Sequence, residues 1–186
     1  MGRAGYMEWM AAIVVCAALA ASWSDYRRHR VPNVLNAALL LGGLFSQAWF
    51  FGWIGVQQSL FGVAVGAGPL LLLWMMKAIG AGDVKFMGAL GAWLGPQMAL
   101  NALVVGGLVG GVLAVGMLAA RGNWRQTTLN MGVLVTKMTN LRTAFSEFGS
   151  VQSVSASGGV MPYAVPLSIG TLVVVFVNYF GWWKLL

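Results

Sequence analysis

The chain has 186 residues, of which 59% are apolar and only 8% are charged, and its mean hydropathy is +0.79. Soluble domains carry about 25% charged residues, so this composition excludes an ordinary soluble protein. The net charge of +7 does not indicate nucleic-acid binding, because the basic residues lie in short segments beside apolar runs. One cysteine and one histidine exclude a disulfide framework and a Cys- or His-rich metal site.

Six apolar segments are predicted to be transmembrane helices, because about 20 apolar residues span a bilayer and helices pair their own backbone groups. In chain order these segments are residues 7–24, 33–53, 56–77, 84–95, 98–120 and 162–182. The predicted fold is therefore an all-α polytopic membrane protein forming a single domain over residues 1–186. The fourth segment is too short to span the bilayer alone. Its first residues must therefore lie deep in the membrane, or the chain before it must be surrounded by protein or water.

The first segment has an alternative interpretation as a secretory signal peptide. Arg3, an apolar run and the small residues 17-AALAAS-22 are typical of such a signal and its cleavage site. The basic cluster 27-RRHR-30 follows at once, and it opposes translocation across the membrane. We therefore favour an uncleaved first helix.

The segment 121–161 is the longest polar stretch in the chain. Its first part has apolar residues at helical spacing with basic residues between them, which predicts an interfacial amphipathic helix. The later stretch 149-GSVQSVSASGG-159 is typical of a flexible loop. We expect the segment to cover the cytoplasmic mouth of the bundle.

The distribution of Lys and Arg predicts the orientation. With the N-terminus outside, nine basic residues are cytoplasmic, and only Arg3 and Lys184 remain outside. This bias follows the positive-inside rule. Asp25 and Asp83 then both lie at the cytoplasmic face.

Asp25 and Asp83 are the only aspartates in the chain. Alone, Asp83 fits a helix N-cap as well as a functional acid, and Asp25 fits a membrane-edge acid that balances Arg27 and Arg28. Ionisable groups at membrane depth usually face the bundle interior and mark function. Two close carboxyl groups resist double ionisation, so one is protonated, and such a pair can activate water and protonate a leaving amine. As a pair, the aspartates favour function.

Three stretches together resemble the prepilin peptidases, a family of membrane aspartic proteases with a GxGD motif. The stretch 80-GAGDVK-85 is similar to that motif, and 25-DYRRHRVPNVLN-36 is similar to the sequence after the family's first helix. The stretch 161-MPYAVPLSIG-170 is similar to the Pro-Tyr-x-x-Pro element that opens the family's last helix. The three stretches occur in the family's order along the six predicted helices.

The resemblance implies that Asp25 and Asp83 are the catalytic pair and that Gly80, Gly82 and Lys85 complete the motif. Lys85 would orient the substrate, or it is a lysine that reaches the cytoplasmic interface. Asn33 and Asn36 lie one helical turn apart and could bond to a nearby aspartate, or they cap and pack the second helix. Pro162 and Tyr163 are further candidate supporting residues, and Tyr163 could reach the site or be an ordinary membrane-edge residue. Long members of the family carry a zinc-binding domain with paired CxxC motifs. This chain has no such insert between its first two segments, so the resemblance implies a peptidase of the Flp, tight-adherence branch without methyltransferase activity.

The resulting expectation is an aspartic endopeptidase of the bacterial inner membrane that needs no metal or cofactor. Its expected partners are a prepilin substrate, the lipid bilayer and pilus-assembly proteins, with no nucleic acid. Two alternatives stay open. One is another GxGD protease of the preflagellin-peptidase or presenilin type. The other is a small transporter or assembly subunit that uses the two acids for protons or cations.

Overall fold

The computed structural model describes residues 3–28, 32–75, 79–121 and 163–180, and this part of the chain is helical without β-strands. Its helices are α1 (Arg3–Arg28), α2 (Asn33–Met75), α3 (Ala81–Arg121) and α4 (Ala164–Tyr179). The first three contain stretches long and apolar enough to cross a membrane, and α4 is a shorter apolar helix. The predicted all-α membrane fold is confirmed.

A glycine divides α2 into two helical segments that run in opposite directions. Gly52 has φ 61° and ψ −141°, a conformation that only glycine adopts without strain. A Cβ added to Gly55 would overlap the carbonyl oxygen of Gln47, although residues eight apart in a straight helix are separated by about 12 Å. The chain therefore reverses at Gly52, and we call residues 33–51 and 53–75 segments α2a and α2b.

A second glycine divides α3 in the same way. Gly95 has φ 73° and ψ 175°, and Pro96 follows it without an N–H for the helical hydrogen-bond pattern. We call residues 81–94 and 96–121 segments α3a and α3b. With α1 and α4, the described residues thus contain six helical segments in the predicted order.

The two ends of the bundle are defined by contacts between helices. The end of α1 meets the start of α4, and Lys85 near the start of α3 contacts Asn33 at the start of α2. We call this the aspartate end, because it also holds Asp25 and Asp83. The opposite end contains the two glycine reversals and Tyr6, whose ring lies 5.0 Å from that of Phe51.

Segment α3a packs against both halves of α2 through small residues. A Cβ added to Gly62 would overlap the carbonyl oxygen of Gly91, and one added to Gly91 would overlap that of Gly62. On the other half, a Cβ on Gly43 would lie 2.9 Å from the Cβ of Ala92. Helices in lipid gain little from apolar burial, so such backbone approaches supply the packing that holds them together.

Two buried side-chain hydrogen bonds join α2a to the end of α3a. The Trp93 indole Nε1 donates to the carbonyl oxygen of Leu39 at 2.7 Å. The Gln47 amide Nε2 donates to the carbonyl oxygen of Trp93 at 3.1 Å. The second bond places a buried amide donor on a carbonyl oxygen two residues before the reversal at Gly95.

Trp93→Phe is expected to lower the free energy of unfolding by about 2 kcal/mol, because it deletes the bond to Leu39 and leaves a small cavity. Unfolding in detergent micelles measures the change. Trp53→Phe is the matched control, since Trp53 is 74% exposed and its replacement should change stability by less than about 0.5 kcal/mol. Equal effects of the two substitutions would contradict the role assigned to the buried indole.

The structure shifts several predicted helix boundaries. Helix α1 continues to Arg28 rather than ending near residue 24, and α3 begins at Ala81 rather than at residue 84. The first reversal falls at Gly52, inside the predicted second segment. The interfacial helix and loop predicted for residues 121–161 lie outside the described residues, apart from Arg121, the last residue of α3.

Candidate functional site

Asp25 lies in the last part of α1, and its side chain is only 5% exposed. Its Oδ2 accepts a hydrogen bond of 3.1 Å from the backbone N–H of Ala164, the first residue of α4. The first N–H groups of a helix have no partner within the helix, so a carboxylate at this position satisfies one of them. The N-terminus of α4 also stabilises negative charge through the helix dipole.

Asp83 lies in the first turn of α3 and is 9% exposed. Because α3 begins at Ala81, Asp83 is its third residue and does not precede the helix as a simple N-cap would. The carboxylate folds back onto Gly80, where an added Cβ would lie 3.3 Å from Oδ2. The Gly80 carbonyl in turn accepts a bond of 3.2 Å from the Asp83 N–H. This resembles the carboxylate half of a capping box.

The fold brings the two aspartates to the same end of the bundle. Asp25 comes from α1 and Asp83 from α3a, and both carboxyl groups are buried. Two buried carboxyl groups brought close together would favour a state in which one of them holds a proton.

The other motif residues surround Asp83 to different extents. Gly80 is exposed and Gly82 is half-buried, so the backbone before Asp83 is accessible. The exposed Lys85 Nζ donates to Asn33 Oδ1 at 3.3 Å, which links the starts of α3 and α2. An exposed bond of this kind adds little to stability.

The remaining candidates have mixed outcomes. Asn36 is buried, and neither its Nδ2 nor its Oδ1 has a hydrogen-bond partner, so it does not bond to an aspartate in this structure. Tyr163 is half-buried directly before α4, beside the residue that bonds to Asp25. Pro162 lies outside the described residues.

Sequence reasoning missed two contacts of α4 near Asp25. One is the Ala164 backbone N–H, and the other is Ser168, whose Oγ donates to the carbonyl oxygen of Ala18 in α1 at 3.1 Å. A backbone donor leaves no signature in residue type. The only available signal was the position of Ala164 inside the stretch 161-MPYAVPLSIG-170.

A metal site is not evident in the part of the chain that the structure describes. Within it, His, Cys, Asp and Glu side chains do not gather in a group of three or more that could hold a metal ion. The described polar groups that converge at the aspartate end are the two carboxyl groups, backbone N–H groups and the Lys85–Asn33 pair.

The long apolar helices define a polytopic α-helical membrane protein that buries two carboxyl groups at one end. Residues 12–115, which include both aspartates, match the model of the type IV leader peptidase family. The chain belongs to this family.

Curated relatives have names that agree with this family. The chain is 30% identical over 135 residues to a prepilin leader peptidase/N-methyltransferase of Xanthomonas campestris pv. campestris, a match that covers 69% of this chain and 47% of the relative. It is 40% identical over 117 residues to the protein of that name from Burkholderia pseudomallei, covering 54% of this chain and 36% of the relative. The chain thus spans about half or less of these relatives. No solved structure matches it.

Proposed function

We propose that this protein is an aspartic endopeptidase that removes the leader peptide from prepilins. The observation that carries the proposal is that the chain's only two aspartates are both buried at the same end of the bundle. Both lie within the region that matches the type IV leader peptidase family. The curated relatives are named for prepilin leader peptidase activity.

The proposed reaction is direct hydrolysis of one peptide bond. One ionised carboxylate takes a proton from a water molecule while the water oxygen bonds to the scissile carbonyl carbon. The other, protonated carboxyl group donates a hydrogen bond to the carbonyl oxygen. The C–N bond then breaks, a proton passes to the leaving amine, and the pair is left with one proton as at the start. No acyl-enzyme forms, and the pair titrates as a unit.

The proposed location of the reaction is the cytoplasmic face of the bacterial inner membrane. Arg27 and Lys85 lie beside Asp25 and Asp83, and the positive-inside rule puts such residues in the cytoplasm. With α1 crossing once before Asp25, the N-terminus is then outside. A prepilin whose leader remains cytoplasmic would present the bond before its hydrophobic helix at this face.

The proposed substrate class is small Flp-type prepilins, with pseudopilins and preflagellins as the nearest alternatives. Only residues 29–32 separate α1 from α2, which leaves no room there for a zinc-binding insert with paired CxxC motifs. The resemblance associates such short forms with Flp pilus systems, whose assembly proteins are the further expected partners.

Reconstitution with candidate precursors tests the proposal. The purified protein is placed in lipid vesicles with a Flp-type prepilin, a pseudopilin precursor or a preflagellin, and mass spectrometry locates the new N-terminus. We expect cleavage of the Flp-type prepilin immediately before its hydrophobic helix, at the highest rate of the three substrates. Faster cleavage of another precursor would reassign the substrate. Failure to cleave any of them, together with proton or cation flux through the vesicles, would support the transporter alternative.

A further inference from the structure

Helix α4 connects the two helices that carry the aspartates. Among the described residues, α1 packs mainly along α4 and makes little contact with α2 or α3. Helix α4 also packs extensively against α3. The position of Asp25 on α1 relative to Asp83 on α3a is therefore transmitted largely through α4.

Two buried hydrogen bonds fix α4 against α1. The Ala164 N–H donates to Asp25 Oδ2 at 3.1 Å, and Ser168 Oγ donates to the Ala18 carbonyl oxygen at 3.1 Å. Ala164 and Ser168 are one helical turn apart, so they lie on the same face of α4. Together the two bonds define how far α4 can slide or turn along α1.

Close backbone packing fixes α4 against α3b. A Cβ added to Gly170 would overlap the backbone nitrogen of Gly106 and lie 2.6 Å from the carbonyl oxygen of Ala102. One turn before Gly170 on α4, the Cα of Leu167 would lie 3.1 Å from a Cβ added to Gly106. These contacts leave no room for α4 to shift along α3b without separating the helices.

We propose that the first turn of α4 positions Asp25 for catalysis, an inference that rests on the proposed peptidase function. The Ala164 backbone N–H holds one oxygen of the Asp25 carboxylate, and Ser168 holds the same face of α4 against α1. Ala164 and Ser168 are positioning residues, since they act through Asp25. The stretch 161-MPYAVPLSIG-170, which contains both residues, would thus help to orient one member of the proposed catalytic pair.

The physical reason is orientation. An unrestrained Asp side chain rotates about χ1 and χ2, and only some of its orientations can share a proton or a water molecule with a second carboxyl group. A hydrogen bond from a backbone N–H to a carboxylate is strong because the acceptor is charged. A misplacement of about 1 Å in a reacting group can cost about 100-fold in rate.

An amide-to-ester exchange at position 164 tests the proposal without changing a side chain. Lactic acid is introduced in place of Ala164 by stop-codon suppression, which removes the N–H and retains the methyl group. In the vesicle assay with a Flp-type prepilin, we expect kcat to fall by about 10- to 100-fold while KM changes by less than about threefold. A fall in kcat with little change in KM indicates misplaced chemistry when the rate is divided by the concentration of folded protein, because loss of substrate binding raises KM. Loss of folded protein would also lower the apparent kcat at constant KM, so the folded fraction is measured by thermal unfolding.

The matched control is the same exchange at Val173, which uses the hydroxy acid of valine. Val173 lies two to three turns further along α4 and is 42% exposed, so the exchange weakens the helix away from Asp25. We expect its kcat to stay within about threefold of the wild-type value. Equal effects at positions 164 and 173 would overturn the proposal and indicate general loosening of α4.

Two further results separate the positioning role from the peptidase function. A wild-type protein that cleaves the prepilin, with an unchanged kcat for the ester at position 164, overturns the positioning role alone. A wild-type protein that cleaves no precursor overturns both. If the ester protein does not accumulate, Ser168→Ala provides the same test, and we expect a five- to 20-fold lower kcat at similar KM, of the order that a small displacement produces.

Discussion

Asp25→Asn and Asp83→Asn are each expected to reduce prepilin cleavage by about 1000-fold or more. General acid–base catalysis by a positioned group contributes about 10²- to 10⁴-fold, and an amide can neither take a proton from water nor donate a carboxyl proton. Because the two carboxyl groups act as a unit in the proposed mechanism, the double variant should be little slower than either single variant. Single-turnover cleavage in lipid vesicles, followed by mass spectrometry, measures all three rates.

The structure indicates that these substitutions preserve the fold. Asparagine has nearly the same size as aspartate, and its Oδ1 can accept the bond from the Ala164 N–H that Asp25 Oδ2 accepts. At position 83, an amide oxygen can occupy the place of Oδ2 beside Gly80. If a variant loses activity but keeps the thermal unfolding transition of the wild type, the loss would therefore reflect the missing carboxyl group and not unfolding.

Glu8→Gln is the matched control for the aspartate variants. Glu8 is an exposed acid on α1, the helix that also carries Asp25, but it lies near the opposite end. Removing its carboxyl group should leave the cleavage rate within about twofold. If Asp25→Asn or Asp83→Asn retained more than about a tenth of the wild-type rate, hydrolysis by an aspartate pair would be untenable.

The sequence predicted the helical segments well because apolar runs are long and strongly biased in composition. The reversal at Gly95 was marked by Pro96, which cannot continue the hydrogen-bond pattern. The reversal at Gly52 fell inside a predicted segment, since the flanking Phe51 and Trp53 are as apolar as the helices they join. Composition alone does not show which of 26 glycines adopts a positive φ.

The sequence selected candidate residues for the site, but it did not predict the contacts around them. Asp25 and Asp83 stood out because charged residues are rare in this chain, and the structure places both at one end. The contact between Asp25 and Ala164 joins residues 139 positions apart through a backbone donor, which no pattern of side chains predicts. The environment of Asn36 depends on how α2a packs, so the sequence could not predict that its side-chain amide has no hydrogen-bond partner.

Gly62→Ala is expected to destabilise the protein by more than about 3 kcal/mol, although alanine normally favours a helix over glycine by about 1 kcal/mol. The added methyl group would overlap the backbone carbonyl oxygen of Gly91, which cannot rotate away as a side chain could. Segments α2b and α3a must therefore separate, which also loosens the nearby approach of Gly66 to the Met87 carbonyl. Thermal unfolding in detergent should show a transition lowered by about 6–12 °C.

Gly107→Ala is the matched control, because Gly107 is an exposed helical glycine with open space where its Cβ would lie. It should be neutral or slightly stabilising, through the intrinsic helix preference of alanine.

Gly62→Ala should also slow prepilin cleavage in the fraction that stays folded, since α3a carries Asp83 at its start and a displaced segment moves that carboxyl group away from Asp25. A Gly62→Ala protein as stable as Gly107→Ala would show that α2b and α3a do not pack through Gly62 and Gly91. A destabilised protein with wild-type kcat would show instead that Asp83 keeps its position when this interface opens.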